Sequence, residues 1–135
     1  MRIGQLAKSI GVDTQTIRYY EHQGLLPSPD RQENGYRVYT DKHAQQLAFI
    51  RSCRMLDLSL AEISELQSYQ DDPHQPCTAV NDLLDVHICQ VRSQITALQA
   101  LEKQLVSLRA NCNSDREVEA CGVLAGISEG SVHQR

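Results

Sequence analysis

The sequence predicts a mainly α-helical chain with an N-terminal winged helix-turn-helix domain, linker helices, one long helix and a C-terminal loop. Two short helical patterns meet at Gly11, which favours a tight turn between them. Further on, no glycine or proline interrupts residues 78–111, so a continuous helix is expected there. Between these two features a short alternating run follows Asn34-Gly35 and indicates a small hairpin.

The first two helices have the pattern of a helix-turn-helix. Leu6, Ala7 and Ile10 share one face of the first helix, and Asp13 is a suitable N-cap for a second helix that extends through Glu21. Taken alone, this segment also fits an ordinary helical hairpin with a solvated face. As a DNA-reading helix, the second would carry its contacts on the outer side of its N-terminal half. The residues expected there are Thr14, Gln15, Arg18 and Tyr19.

A hairpin after the second helix is expected to form the wing. Asn34-Gly35 favours a tight turn, and residues 36–39 form the alternating run of a strand. Tyr36 and Arg37 are expected on the outer surface, where phenol hydroxyls and arginine forks commonly contact DNA phosphates. Arg54, in the helix that follows, is a further candidate for the same surface.

The distribution of charge decides whether DNA binding is compatible with the acidity of the whole chain. The net charge is −4 at pH 7. Residues 1–58 nevertheless hold 8 Lys and Arg against 6 Asp and Glu, whereas residues 59–135 hold 5 against 11. Attraction to phosphates is therefore expected to be confined to the first part of the chain.

Two linker helices are expected after the wing. Thr40 is a candidate N-cap for the first, and residues 59–62 form a capping box that opens the second. Cys53 lies within the apolar pattern of the first linker helix. It is expected to be a buried thiol rather than a metal ligand, because buried free cysteine behaves as a small hydrophobic residue.

The long helix has the pattern of an antiparallel coiled coil formed with a second copy of the chain. Its apolar positions recur at spacings of 4, 3, 4, 3, 3, 4 and 3, with one stammer between Leu98 and Leu101. Too little chain remains to cover this face, so a homodimer is favoured over packing within one chain. The positions are Leu84, Ile88, Val91, Ile95, Leu98, Leu101, Leu105 and Leu108.

Three cysteines stand at the ends of the long helix. Cys77 precedes it, whereas Cys112 and Cys121 follow it, and a rise of 1.5 Å per residue separates the two ends by roughly 50 Å. If two chains lie antiparallel, Cys77 of one chain meets the other two cysteines of its partner in a three-sulfur site. Thiolates favour soft ions, so Pb(II), Cd(II) and Hg(II) suit this donor set better than Zn(II), Ca(II) or Mg(II).

Four other residues are further candidates for metal ligands. Asn81, His87 and Cys89 lie near the start of the long helix and define a possible auxiliary site, although exposed polar residues at a helix end explain them as well. His133, near the C-terminus, is the fourth candidate.

These patterns divide the chain into four predicted parts. Residues 1–70 form the DNA-binding domain with its connector helices, and residues 71–78 form the linker that carries the first metal ligand. Residues 79–111 form the coiled-coil dimerisation helix. Residues 112–135 form the C-terminal metal-binding loop and tail.

Composition bears on the compartment. No apolar run approaches the ~20 residues that span a bilayer, and the first residues lack an apolar signal core, so a cytoplasmic protein without a membrane partner is expected. In a reducing compartment, five cysteines indicate ligands or buried thiols rather than disulfides.

The sequence disfavours two other classes of function. An enzyme with Cys112 or Cys121 as nucleophile is disfavoured, because neither has a nearby histidine in the sequence. A metal-storage protein that does not bind DNA would need neither the helix-turn-helix nor the wing.

Together these motifs resemble the MerR family of metal-responsive transcription regulators, and the likeness covers nearly the whole chain. The resemblance implies a homodimer on promoter DNA whose two elements are spaced too widely, with bacterial RNA polymerase on the same promoter. It also implies that metal binding distorts the DNA and turns a repressing complex into an activating one. The residues that carry the likeness are 16–21, 24–26, 34–39 and the cysteines Cys77, Cys112 and Cys121.

Within the family, residues 121–124 and several positions of the long helix look most like the lead- and cadmium-responsive branch. Cysteine spacings of 35 and 9 also suit mercury sensors, although these usually have proline where Gly122 stands. Zinc sensors carry a second cysteine where Asn113 stands. Pb(II) or Cd(II) is therefore the expected effector, with Hg(II) and Zn(II) as alternatives.

Overall fold

The computed structural model describes residues 1–112 and 117–129, apart from the side chain of Glu119. Its elements are mostly helical, which confirms the predicted fold class, and none of the helices within these ranges is long and apolar enough to cross a membrane. The chain divides into two compact units, and the second begins at Leu84. The elements are α1 (Ile3–Ile10), α2 (Thr14–His22), β1 (Asp30–Arg31), β2 (Arg37–Val38), α3 (Asp41–Met55), α4 (Leu60–Gln70), α5 (Thr78–Arg109), a 3-10 turn (Val118–Ala120) and α6 (Gly122–Ser128).

The predicted helix-turn-helix is present as α1 and α2. Gly11 ends α1 with φ 84°, a left-handed conformation that glycine adopts without steric cost, and its N–H donates to the Ala7 carbonyl. Asp13 is the N-cap of α2, and its Oδ1 accepts bonds of 2.7 Å from both the hydroxyl and the N–H of Thr16. These bonds hold the pKa of Asp13 below its ordinary value, the hydroxyl contributing most.

The wing is a two-stranded antiparallel hairpin. Arg31 pairs with Arg37, and the turn around Gly35 is one residue longer than the tightest hairpin turn, with Gln32 N–H bonded to the Tyr36 carbonyl at 2.8 Å. The start of the chain joins the end of the wing, because Met1 and Tyr39 exchange two backbone bonds of 2.7 Å each. These bonds connect the end of the wing to the residues directly before α1.

Caps position the linker helices. Thr40 is the N-cap of α3, and its N–H donates to Nδ1 of His43 at 3.1 Å. Ser59 and Glu62 form the predicted capping box of α4, with bonds of 3.1 and 2.9 Å. Cys53 is buried in the core of this unit, as predicted. The fully buried residues of that core include Leu6, Ile17, Leu47, Ile50, Leu58 and Ile63.

The helix α5 is unbroken over 32 residues. Most of its predicted coiled-coil positions are exposed, including Leu98 at 59% and Leu105 at 56%, whereas Val91 and Leu101 are half-buried and Leu108 is buried. After α5 the backbone tightens into a turn, in which the N–H of Cys112 donates to the Arg109 carbonyl at 3.2 Å. The 3-10 turn and α6 complete the described part of the second unit.

Candidate functional site

The outer face of α2 carries the four residues that the sequence predicts for DNA reading. Gln15, Arg18 and Tyr19 are exposed, and Thr14 is half-buried at the first position of the helix. Ile17 is fully buried on the opposite side. The helix is therefore amphipathic, and its polar side is open to a ligand as large as DNA.

A basic groove runs beside α2 between the start of α1 and the wing. The guanidinium carbon of Arg2 lies 3.9 Å from the centre of the Tyr36 ring, within the range of a cation–π interaction. Lys8 and Arg18 line the same groove, whose volume is about 810 Å³. Three cations in one groove suit a phosphate backbone. The sequence alone does not predict that Arg2 and Lys8 belong to this groove, because only the tertiary fold brings them beside the wing.

Arg37, predicted as a phosphate contact, is half-buried and paired within the protein. Its Nη1 donates to Oε2 of Glu21 at 3.1 Å, and the Glu21 side chain is only 10% exposed. The hydroxyl of Tyr39 donates to the other oxygen of Glu21. Burial raises the pKa of Tyr39, and the bond to Glu21 raises it further. Glu21 thus joins β2 and the residue after it to α2.

Arg54 also has an internal partner. Its Nη1 donates to the Leu58 carbonyl at 2.8 Å, just beyond the end of α3. In the same turn Asp57 adopts φ 63°, and the N–H of Leu58 donates to the Cys53 carbonyl at 3.1 Å, which closes the helix in a Schellman-type cap. The guanidinium therefore stabilises this cap, although the residue as a whole remains exposed.

Two of the three predicted metal ligands lie together in the second unit. Cys112 and Cys121 are both half-exposed, and the Cys112 thiol is within hydrogen-bond reach of the Cys121 sulfur. Arg109 donates to the main-chain carbonyl of Cys112. Residues 113–116 of the predicted metal-binding loop, and His133, lie outside the described residues.

Cys121 has the features of a reactive thiol. It precedes α6 directly, and the backbone N–H groups of Leu124 and Val123 lower its pKa most. Partial burial opposes them, while the Cys112 thiol and the positive charge of Arg109 act in the same direction as the N–H groups. The effect of Arg109 on Cys121 could not be predicted from the sequence, because it depends on the fold of the turn after α5.

Cys77 is exposed directly before α5, and its carbonyl accepts the first helical bond, from Asn81 N–H at 2.9 Å. Among the auxiliary candidates, Cys89 is exposed and His87 is buried. Within the described ranges of a single chain, no three His, Cys, Asp or Glu side chains come together as a metal-binding cluster. Of the three predicted sulfur ligands, Cys112 and Cys121 form a pair in the second unit, whereas Cys77 belongs to the first.

Two known protein families match residues 1–108, and named relatives match most of the chain. Residues 1–70 match the family described as MerR HTH family regulatory protein, and residues 44–108 match the family described as MerR, DNA binding. The HTH-type transcriptional regulator ZntR homolog of Haemophilus influenzae is 43% identical over 117 residues, 87% of either chain. The mercuric resistance operon regulatory protein of Bacillus cereus is 34% identical over 123 residues, 91% of this chain and 93% of that protein.

The chain is also similar to a solved structure over almost the full length of both chains. The crystal structure of the transcription regulator PbrR691 from Ralstonia metallidurans CH34 in complex with lead(II) gives a TM-score of 0.83 at 46% identity. The match covers 94% of this chain and 98% of that chain. The similarity therefore includes the part of the chain that carries the cysteines.

The environment of Cys121 predicts its reactivity in the metal-free, reduced protein. Its lowered pKa keeps more thiolate at neutral pH, whereas burial raises the pKa of Cys53. At pH 7.5 we expect iodoacetamide to alkylate Cys121 at least about 10-fold faster than Cys53. The rate at Cys121 should also level off at a lower pH. Peptide mass spectrometry over a pH series measures both, and in denaturant the difference should vanish. Equal rates in the folded protein would contradict the described environment.

Proposed function

The chain belongs to the MerR family of transcriptional regulators, and from this premise we propose that it is a lead(II)- or cadmium(II)-sensing activator of metal-resistance genes. Its relatives above are described as regulators rather than enzymes. In the proposed function a homodimer binds an over-spaced promoter in the cytoplasm, beside bacterial RNA polymerase. The observation that carries it is the Cys112 and Cys121 pair at the end of a helix that begins directly after Cys77.

The proposed DNA contacts are on the first unit. Gln15, Arg18 and Tyr19 of α2 are exposed for base edges or phosphates, with Thr14 at the helix start. Tyr36, on the wing, lines the basic groove beside α2. Arg37 and Arg54 are proposed to act mainly through the protein, because each already has an internal partner.

The proposed homodimer rests on α5. Exposed leucine and isoleucine side chains along one helix face are costly in water, and a second copy of the same face covers them. A helix of 32 residues is about 48 Å long. In an antiparallel pair, Cys77 therefore lies beside Cys112 of the partner subunit and Cys121 of the partner subunit, and two three-sulfur sites form.

The donor set supports a soft, large ion. Three thiolates without histidine suit lead(II), cadmium(II) or mercury(II), whereas structural zinc is usually held by four ligands. The lead-bound relative favours lead(II), and the relative from a mercuric resistance operon keeps mercury(II) as the alternative. When bound, the ion would join thiolates of both chains and so fix how the two protomers are held together.

Activation follows from that coupling. A promoter whose elements are too far apart must be bent and untwisted before polymerase can engage both, which costs deformation energy. We propose that the dimer offsets this cost only when its thiolates are joined across the two chains, since DNA and metal binding then stabilise the same state. Recruitment of polymerase by a direct contact is not required.

Transcription in vitro tests the proposed selectivity. With the cognate promoter and purified polymerase, Pb(II) or Cd(II) should raise transcript levels at concentrations where Zn(II) does not. Cys77→Ser should abolish this response and leave DNA affinity unchanged, because Cys77 lies outside the DNA-binding surface. Activation by Zn(II) alone would sink the lead and cadmium assignment, and activation by Hg(II) alone would establish the mercury alternative.

Mixed dimers test whether each site draws on both chains. A heterodimer of a Cys77→Ser chain with a Cys112→Ser chain retains one complete intersubunit site, whereas either homodimer retains none. We therefore expect about one Pb(II) per heterodimer, with thiolate-to-lead charge-transfer absorption, and none at matched concentration in the homodimers. An intrachain site predicts no complementation, so a heterodimer as inactive as its parents would refute the arrangement.

Glu21 is predicted to control DNA affinity without touching DNA. Glu21→Gln weakens the ion pair with Arg37 that holds β2 against α2. We expect about a 10-fold loss of affinity for the cognate promoter, or about 1.4 kcal/mol. Glu33→Gln is the matched control, because it removes the same charge from an exposed position of the wing turn. Fluorescence anisotropy with cognate and random duplexes measures the effect. Equal behaviour of the two variants would show that only net charge matters.

A further inference from the structure

Gly122 lies against the main chain at the end of the long helix. A Cβ atom at this position would lie 2.0 Å from the carbonyl oxygen of Asn111, 2.7 Å from its carbonyl carbon and 3.0 Å from its Cβ. Two of these three atoms belong to the backbone, so no side-chain rotation relieves the overlap. In this chain, any side chain at position 122 therefore requires the backbone to move.

This contact brings together the two residues that flank the predicted metal ligands Cys112 and Cys121. Asn111 directly precedes Cys112, and Gly122 directly follows Cys121. We propose that Gly122 is a positioning residue for the metal site. Because it has no side chain, the backbone at Gly122 can approach the backbone at Asn111, and this approach brings the Cys112 and Cys121 thiols together. This inference rests on the proposed metal-sensing function and assigns one residue that determines its geometry.

A Cβ atom at position 122 would overlap Asn111 strongly, so we expect a side chain there to displace the backbone by a large amount. Ordinary contact between a Cβ and a neighbouring heavy atom begins at 3.4 Å, so alanine would force the two backbones apart by well over an ångström. Metal–ligand distances in protein sites lie within about 0.2 Å of their standard values. One methyl group is therefore enough to separate the two sulfur donors beyond what one ion spans at full strength.

Helix propensity predicts the opposite sign, which makes the substitution diagnostic. Gly122 is the first residue of α6, and alanine is a better helix former than glycine. If only the order of α6 mattered, Gly122→Ala would strengthen the site. Ala125→Gly is the matched control, since it weakens the same helix at an exposed position.

The experiment compares the full-length wild type, Gly122→Ala, Ala125→Gly and Cys112→Ser. Titration with Pb(II), followed by thiolate-to-lead charge-transfer absorption, should give at least about a 10-fold weaker affinity for Gly122→Ala, with lower absorption per bound ion. Without metal, the fraction of Cys112–Cys121 disulfide formed in a glutathione buffer should also fall, because the thiols are further apart. Ala125→Gly should match the wild type in both measurements, and promoter affinity should be unchanged throughout, which shows that the variants are folded.

The outcomes separate the two proposals. A wild type whose absorption on Pb(II) addition equals that of Cys112→Ser would refute the proposed metal site itself, whatever Gly122 does. A wild type that binds Pb(II), together with a Gly122→Ala variant of equal affinity and equal disulfide fraction, would overturn the role of Gly122 alone. The role of Gly122 would also be overturned if Ala125→Gly weakened Pb(II) binding as much as Gly122→Ala does, because the loss of affinity would then come from the order of α6.

Discussion

An apolar stripe along α5, left uncovered by the described part of its own chain, is the constraint on which the proposed architecture depends. Of the leucine and isoleucine side chains from Leu84 to Leu105, all except Leu101 are exposed. Water penalises such a surface in proportion to its area, so a second copy of the helix is the natural cover. In the proposed dimer the same pairing determines which sulfur atoms meet. In the proposed dimer, the cover of this apolar face and the assembly of the three-sulfur sites then depend on the same helix pairing.

Much of the fold could be predicted because its signals are local. Asp13 and Ser59 are read as caps from the few residues around them, and both cap in the structure as expected. The wing strands are only two residues long, and alternation alone does not fix such short boundaries. His43, the partner of Thr40, went unnoticed because histidine is an unusual third residue of a capping box.

The candidate site was predictable as far as residue type and chain position define it. Cysteines at the two ends of an unbroken helix are visible in the sequence, as is an N-terminal excess of positive charge. Contacts between distant segments are not: Glu21 meets Arg37 across 16 positions, and Gly122 meets Asn111 across 11 positions. Both contacts depend on backbone geometry, which composition and periodicity do not encode.

The internal pairing of arginines changes how the ionic strength dependence of promoter binding should be interpreted. Each phosphate neutralised by a protein cation releases condensed counterions, so the dependence on salt counts cations that are uncompensated in the free protein. Arg37 is already balanced by Glu21 before any DNA arrives. The number of basic residues near the wing therefore overestimates the number of counterions released when the protein binds DNA. We expect the affinity for the promoter to depend less on salt concentration than the number of arginines suggests.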